Sequence, residues 1–443
     1  MHGAPRAQSG PSALGCSVLR AVTGRPTNGQ DPSICRVTRV HFKANVCLQG
    51  LSLDHGVRGL ALDIWDENSA ALLGKRGAPT WGQLDPKDSP TWTDQENIRA
   101  IRGYRDCRAA LSHPRLLSQI DNGSLRQSDS NLVFLDGQRH RRLRTVISRT
   151  LPDWRSATAS SSRFIDGLLQ RLPVHGQIDI VKDFAVPIAE DMSCAILGLP
   201  HGEHDHLAPL LSAMSAQFDP ASDDIALAAA TDAVHEFLSL IRTVVRRKTY
   251  SSARALDLLN QARLAGDLTL REMLGSSIML AHASFQNSVN MLSFAAVESL
   301  TNPLLTEIMR SGSPADQRAC MEELLRLGCP ARFLGRRAEA PITIGATKIA
   351  AWDLVIPYLG EANRDPSVFD QPNEFDHSRS HLGHLAFGAG AHLCLGAAVA
   401  RGELLAAVRG LTGKYRTLTF DSATWSSNMV MFGPTSMVVA VSA

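Results

Sequence analysis

No run of about 18 apolar residues, the least a membrane-spanning helix needs, occurs in the 443 positions of the sequence. No membrane association is expected. Charge of one sign is also missing: 45 Lys and Arg stand against 43 Asp and Glu, a formal net charge of +2. Bulk charge therefore names no polyanionic partner, and nothing global asks for nucleic acid. Eight cysteines are spread thinly along the chain, no two at C-x-x-C spacing. A disulfide framework or a structural zinc site is not expected, and a reducing cytoplasm fits best. The first residues lack the apolar run of a signal peptide, because Gly, Pro, Ser and Arg interrupt it. What remains is ordinary for a globular protein: 44% hydrophobic and 20% charged residues, enough for a sizeable core in one large domain or two ordinary ones.

Residues 1–55 differ from the rest. They are arginine-rich, poor in acids and scattered with Gly, Pro and Ser, and read as a poorly ordered extension ahead of a domain spanning 56–443. From about 60 to 310 the pattern is mainly helical. A helix over Val181–Leu197 should stop at Gly198 and Pro200. Ala226–Arg247 should be another, with a basic end that suits the helix dipole. The most informative helix opens with the capping box of Thr269 and Glu272. Its apolar stripe (Leu274, Ile278, Ala281, Phe285, Val289, Leu292) continues to about Leu300, before Asn302 and Pro303. At 1.5 Å per residue it spans roughly 45–50 Å, enough to cross a core. Ser284, Gln286, Asn287, Ser288 and Asn290 sit in its middle, where buried polar groups need partners or a cavity. Short β-like runs follow from 340, a last long helix from about 395 to 412, and strands at Thr417–Phe420 and Val430–Phe432. The class is mainly α with small β-sheets.

The strongest local signal is Phe387-Gly388-Ala389-Gly390-Ala391-His392-Leu393-Cys394-Leu395-Gly396. Glycines this close to one cysteine indicate a tight, closely approached backbone. A helix begins just after Cys394, so its sulfur lies where the dipole and free N–H groups favour a thiolate, the form that ligates metals. Alone, such a cluster also fits an inert cysteine in a Gly-rich turn. The whole segment resembles the heme-binding loop of the cytochrome P450 family, F-x-x-G-x-[HR]-x-C-x-G, and matches every fixed position. Other motifs follow the same order. Glu323-Leu324-Leu325-Arg326 is similar to the family's E-x-x-R helix, although such i,i+3 pairs are common on helix surfaces. Ala362–Pro366 and Phe375–Arg379 match the segment that supplies a second arginine. Asp136–Arg144 is similar to the H-x-x-x-R helix, with His140 and Arg144 in place; by itself so basic a stretch reads as a solvated helix face or a nucleic-acid patch.

The resemblance implies the cytochrome P450 fold, a triangular helical prism with the long helix over heme b. It implies Cys394 as the iron ligand, and a thiolate ligand favours O–O cleavage. Glu323, Arg326 and Arg379 would form a buried charge network fixing the loop. His140, Arg144, Arg336, His384 and His392 would contact the heme propionates. Gly388 belongs to the cofactor loop, and Phe387 would pack against the sulfur. Electrons would come from a separate ferredoxin and ferredoxin reductase, docked on a basic face including Arg139, Arg141 and Arg142. The protein would be a monomer acting on a small natural product.

One segment departs from the family. Where a small residue, an acid and a threonine are usual, this chain reads Ala283-Ser284-Phe285-Gln286-Asn287-Ser288. Gln286 cannot ionise and Asn287 has no hydroxyl. Ser284 or Ser288 could substitute as catalytic groups, or amide-held waters could carry protons. Oxidative C–C or C–N coupling, for example on a Trp-containing cyclodipeptide, becomes an expectation beside ordinary hydroxylation of a secondary metabolite and beside a non-catalytic heme protein. The substrate should meet residues 75–95, 170–175 and 208–220, the middle of the long helix, Arg332–Leu334 and Met429–Phe432. His201, His204 and His206 read as a solvated loop or a metal cluster. His282 reads as a core or cavity-lining residue.

Overall fold

The long helix predicted from the capping box organises the computed structural model, which describes residues 97–118, 131–149, 154–199, 207–219, 222–379, 383–426, 428 and 430–442. The expected extension at 1–55, the substrate segment 75–95, the histidine cluster at 201–206 and Met429 lie outside these residues. Twelve α-helices run in order among them: α1 Tyr104–Ser112, α2 Gly137–Ser148, α3 Trp154–Arg171, α4 Val186–Leu197, α5 Leu207–Met214 and α6 Asp224–Arg247. Then come α7 Ala255–Leu264, α8 Leu270–Thr301, α9 Pro303–Ser311, α10 Pro314–Gly328, α11 Leu359–Ala362 and α12 Ala397–Lys414.

Helix α8 has 32 residues and both halves of its capping box: Thr269 accepts from the Glu272 N–H, and the Glu272 carboxylate accepts from the Thr269 N–H. It ends where the Asn302 side chain accepts from Leu305 N at 3.2 Å and so caps α9 instead. Pro303 fits there because the first helical position needs no N–H. Most of α8 is buried on every side, as a helix through the middle of a core must be. Helices α4 and α12 pack against it.

Strands are few and peripheral. One four-stranded sheet has the order β1 (Ile98–Ile101), β7 (Leu354–Pro357), β4 (Arg336–Ala338), β2 (Leu116–Leu117). Only β1 and β7 run parallel there, with Ile98 opposite Leu354. A second sheet joins β3 (His175–Asp179), β9 (Pro434–Ser442) and β8 (Thr417–Trp425), and β5 (Ile342–Ile344) pairs β6 (Thr347–Ile349). The strand expected at Val430–Phe432 is not one. The Asn428 side chain accepts from Val430 N at 3.0 Å and Met431 N at 2.8 Å, and this local turn removes two ladder donors. Pairing starts instead at Pro434. No helix of the described residues is long and apolar enough to cross a membrane.

Candidate heme-thiolate site

The Gly-rich loop holds Cys394 by its backbone. Cys394 N donates to Phe387 O at 3.0 Å, and Gly388 N to Leu385 O at 2.8 Å. Gly388 and Gly390 both have φ of 70°. At Gly390 a Cβ would lie 2.6 Å from the Leu111 carbonyl of α1, so only glycine lets the loop approach so closely. Cys394 is accessible in its cleft. Surrounding protein pushes its thiol up, while the N–H groups of Gly396 and Ala397 and the guanidinium groups of Arg144 and Arg401 pull it down. The sulfur thus faces the amino end of α12, the placement read from the sequence.

A second group of residues suits carboxylates. His140 on α2 is 2% exposed, and its Nε2 is buried with no partner among the described residues. Its ring lies 4.2 Å from that of His392. Burial, with help from His392 and Arg144, lowers it to about 4. Arg144 donates to Leu393 O at 2.6 Å, tying α2 to the loop. Arg336 on β4 is buried, and donates to Gly335 O at 2.8 Å. His392 meets Asp136 at 3.1 Å. A thiol at a helix amino end, an orphaned buried imidazole and a buried guanidinium fit an iron porphyrin with its two propionates. His384 stands apart from this set. Its Nε2 lies 3.0 Å from Glu322, which also holds Arg401 at 2.5 and 2.9 Å. Burial opposes the charged form of Glu322, but His384 and Arg401 overcome it and hold the carboxyl at about 2. His384 is thus tied to α10 through Glu322. Phe387 lies with its ring 4.5 Å from the Arg401 guanidinium carbon.

Beside that pair sits the buried network. Arg326 binds Glu323 with two bonds of 2.6 and 2.7 Å. Its Nη1 donates to the carbonyls of Asn363 at 2.8 Å and Pro372 at 2.6 Å, and its Nη2 also to that of Glu374 at 3.2 Å. Arg379 Nε and Asp376 N complete the Glu323 carboxylate at 3.0 and 3.1 Å. Bidentate geometry and saturated donors are what a buried ion pair needs. The network pins the chain segment 363–379 that precedes the cysteine loop.

The centre of α8 is built differently. Ala283 is exposed in a helix otherwise largely buried, so this face meets open space. Asn287 shares that face, one turn on; its Oδ1 is buried without a partner. Ser284 and Ser288 turn elsewhere. Ser284 Oγ lies 2.9 Å from Ser193 Oγ on α4, and Ser288 Oγ donates to Glu403 Oε2 on α12 at 2.8 Å. Gln286 accepts from Ser215 at 3.3 Å and donates to Asn290 at 3.3 Å. Asn290 in turn donates to Met431 O at 3.0 Å. The Gln286 amide therefore ties structure together.

Glu403 escaped the sequence reading. It is fully enclosed, and burial pushes its carboxyl up to about 8, with the Ser288 hydrogen bond opposing. The only sequence hint is an acid at the second turn of a helix that otherwise begins with small apolar residues. Missed too were the walls of a cavity lined by Asn131, Phe134, Val234, Leu238 and the start of α8. The expected segment 208–220 does reach it, through Met214, Gln217 and Phe218, and so does His282. Residues 170–175 do not line it.

The Cytochrome P450 family model matches residues 317–420, which include the charge network and the cysteine loop. The putative cytochrome P450 YjiB of Bacillus subtilis (strain 168) is 26% identical over 80% of this chain and 91% of its own. The 6-deoxyerythronolide B hydroxylase of Saccharopolyspora erythraea is 27% identical over 75% of this chain and 87% of its own. Among solved structures, CxnD, described as the cytochrome P450 enzyme for C–S bond formation in chuangxinmycin biosynthesis, is 26% identical. It covers 77% of this chain and 87% of its own, with a TM-score of 0.68. Motifs, fold and relatives together support a cytochrome P450, a heme b-dependent monooxygenase with bacterial relatives in natural-product biosynthesis.

Proposed function

We propose that the chain inserts an atom of dioxygen into a small secondary metabolite, and that Glu403 with Ser288 holds the proton that Gln286 and Asn287 cannot supply. One observation supports this most: the enclosed Glu403 carboxyl, protonated at neutral pH, touches a hydroxyl one residue from Asn287. Bound heme would supply oxygen activation, with Cys394 as its ligand and His140, Arg144, Arg336 and His392 on its propionates. Glu403 keeps a proton in store. Ser288 Oγ lies 2.8 Å from Oε2; with Glu403 protonated the hydroxyl accepts there and its own hydrogen turns to a water or substrate group beside Asn287, because a hydroxyl both donates and accepts. Gln286 positions α8 against Ser215 and Asn290. Electrons come from a ferredoxin and its reductase, docked on α2, where Arg139 and Arg141 are exposed; Arg142 is committed to Glu272. Residues 1–55 take no part, so a chain lacking them should still bind heme.

A second reading has support in Asn287, which brings no hydroxyl and has an unpartnered Oδ1. It is radical C–C or C–N coupling, for example on a Trp-containing cyclodipeptide, where no oxygen enters the product. Turnover under labelled dioxygen with a reconstituted ferredoxin pair separates the two. One labelled atom per product is expected; an unlabelled coupled product would overturn the proposal.

A further inference from the structure

The cavity beside α8 holds about 410 Å³. Its walls come from α5, α6, α8 and the short turn at Leu132–Phe134. Charge is sorted along its length. His282 lies at one end, 3% exposed, with Nε2 2.9 Å from Ser215 Oγ. Burial lowers it to about 4, so it is uncharged at neutral pH. Phe218 stacks on it at 4.8 Å, and Phe134 stacks on Phe218 at 6.0 Å. These rings make a continuous apolar wall. The other end carries Arg242 of α6 and Arg271 of α8, both exposed, with Leu270 beside them 53% exposed. Among the described residues no carboxylate lines the cavity. Arg271 and His282 are separated by eleven residues of one helix, about 16 Å along its axis. Asn287 lies beyond His282, on the side away from the arginines.

We propose that this cavity receives the far half of an elongated substrate with an apolar body and an anionic end, held at the rim by Arg242 and Arg271. The inference rests on the oxygenase reading above and names the substrate class for it. An apolar body gains from leaving water along the ring wall. A carboxylate or similar anion finds guanidinium donors where the chain emerges. Oxidation should then fall in the half of the molecule remote from the anion.

The test uses the heme-loaded full chain and three probes of equal length: dodecanoate, dodecan-1-ol and dodecylammonium. Calorimetric titration should rank dodecanoate first, at least about tenfold tighter than the alcohol, with the ammonium weakest. Arg242→Glu combined with Arg271→Glu should reverse the order of anion and ammonium. Both sites are exposed, so the fold should survive the change. Equal affinity for the three probes, or an anion preference that persists in the double variant, would overturn the inference. The thiolate-type spectrum of the reduced, CO-bound protein is recorded beside each titration. Its absence would sink the oxygenase reading, whereas its presence with a failed ranking would sink only the substrate class.

Discussion

The two polar regions centred on Glu323 and on Asn287 are built from opposite materials. Around Glu323 the groups are charged, enclosed and saturated: Arg326 alone places five hydrogen bonds on three carbonyls and a carboxylate. Around Asn287 they are amides, hydroxyls and the Glu403 carboxyl, and two buried oxygens, Asn287 Oδ1 and Glu403 Oε1, have no hydrogen-bond partner among the described residues. A saturated charge network holds a single geometry, because any move strands an ion in low dielectric. An unsaturated neutral cluster leaves capacity for something else to bind, such as water or substrate. The difference separates a region built to hold one geometry from a region with capacity to bind.

The sharpest way to break the contrast is to strand an ion in the Glu323 region. Arg326→Ala leaves Glu323 enclosed without its partner and should lower stability by about 3–5 kcal/mol in urea denaturation, with loss of heme. A Glu323→Leu, Arg326→Met double variant should recover part of that loss, since it buries no lone charge. In the Asn287 region the expected effect is smaller and depends on pH. The Glu403 carboxyl is raised from 4.5 to about 8. Below the lower value folded and unfolded states are both protonated, and its stabilising contribution is whole. As pH climbs towards 8 the unfolded chain sheds its proton first, so stability falls with rising pH. Glu403→Gln should flatten that slope, a change on the order of 2–3 kcal/mol between pH 5 and 8, followed by thermal or urea midpoints.

A third region is the carboxylate-binding corner around His140. His140→Ala should weaken heme retention by about tenfold, seen as faster transfer of heme to a scavenging apoprotein. His384→Ala should affect stability through Glu322 and Arg401, and leave heme transfer nearly unchanged. Gln286→Ala should matter least: it removes two hydrogen bonds of 3.3 Å, for about 1 kcal/mol or less, and should not alter label incorporation.

Legibility in the sequence followed the same divide. The cysteine loop, the Glu323–Arg326 pair and the capped long helix are local patterns, and the structure has them where they were expected. Arg379 was reachable only through resemblance, because its partner lies fifty-six positions away. The Ser288–Glu403 contact spans 115 positions, and neither residue has a local signature. The His384–Glu322 contact, sixty-two positions apart, was equally hidden. The strand expected at Val430–Phe432 failed because one side chain, Asn428, diverts its donors.

The central claim is that Cys394 supplies a thiolate to heme iron. It is tested most directly by the absorption spectrum of the reduced, CO-bound full chain and of its Cys394→Ala variant. The account predicts the red-shifted Soret band of thiolate ligation in the native chain and its loss in the variant. A native chain without that band, or a variant that keeps it, would contradict the account.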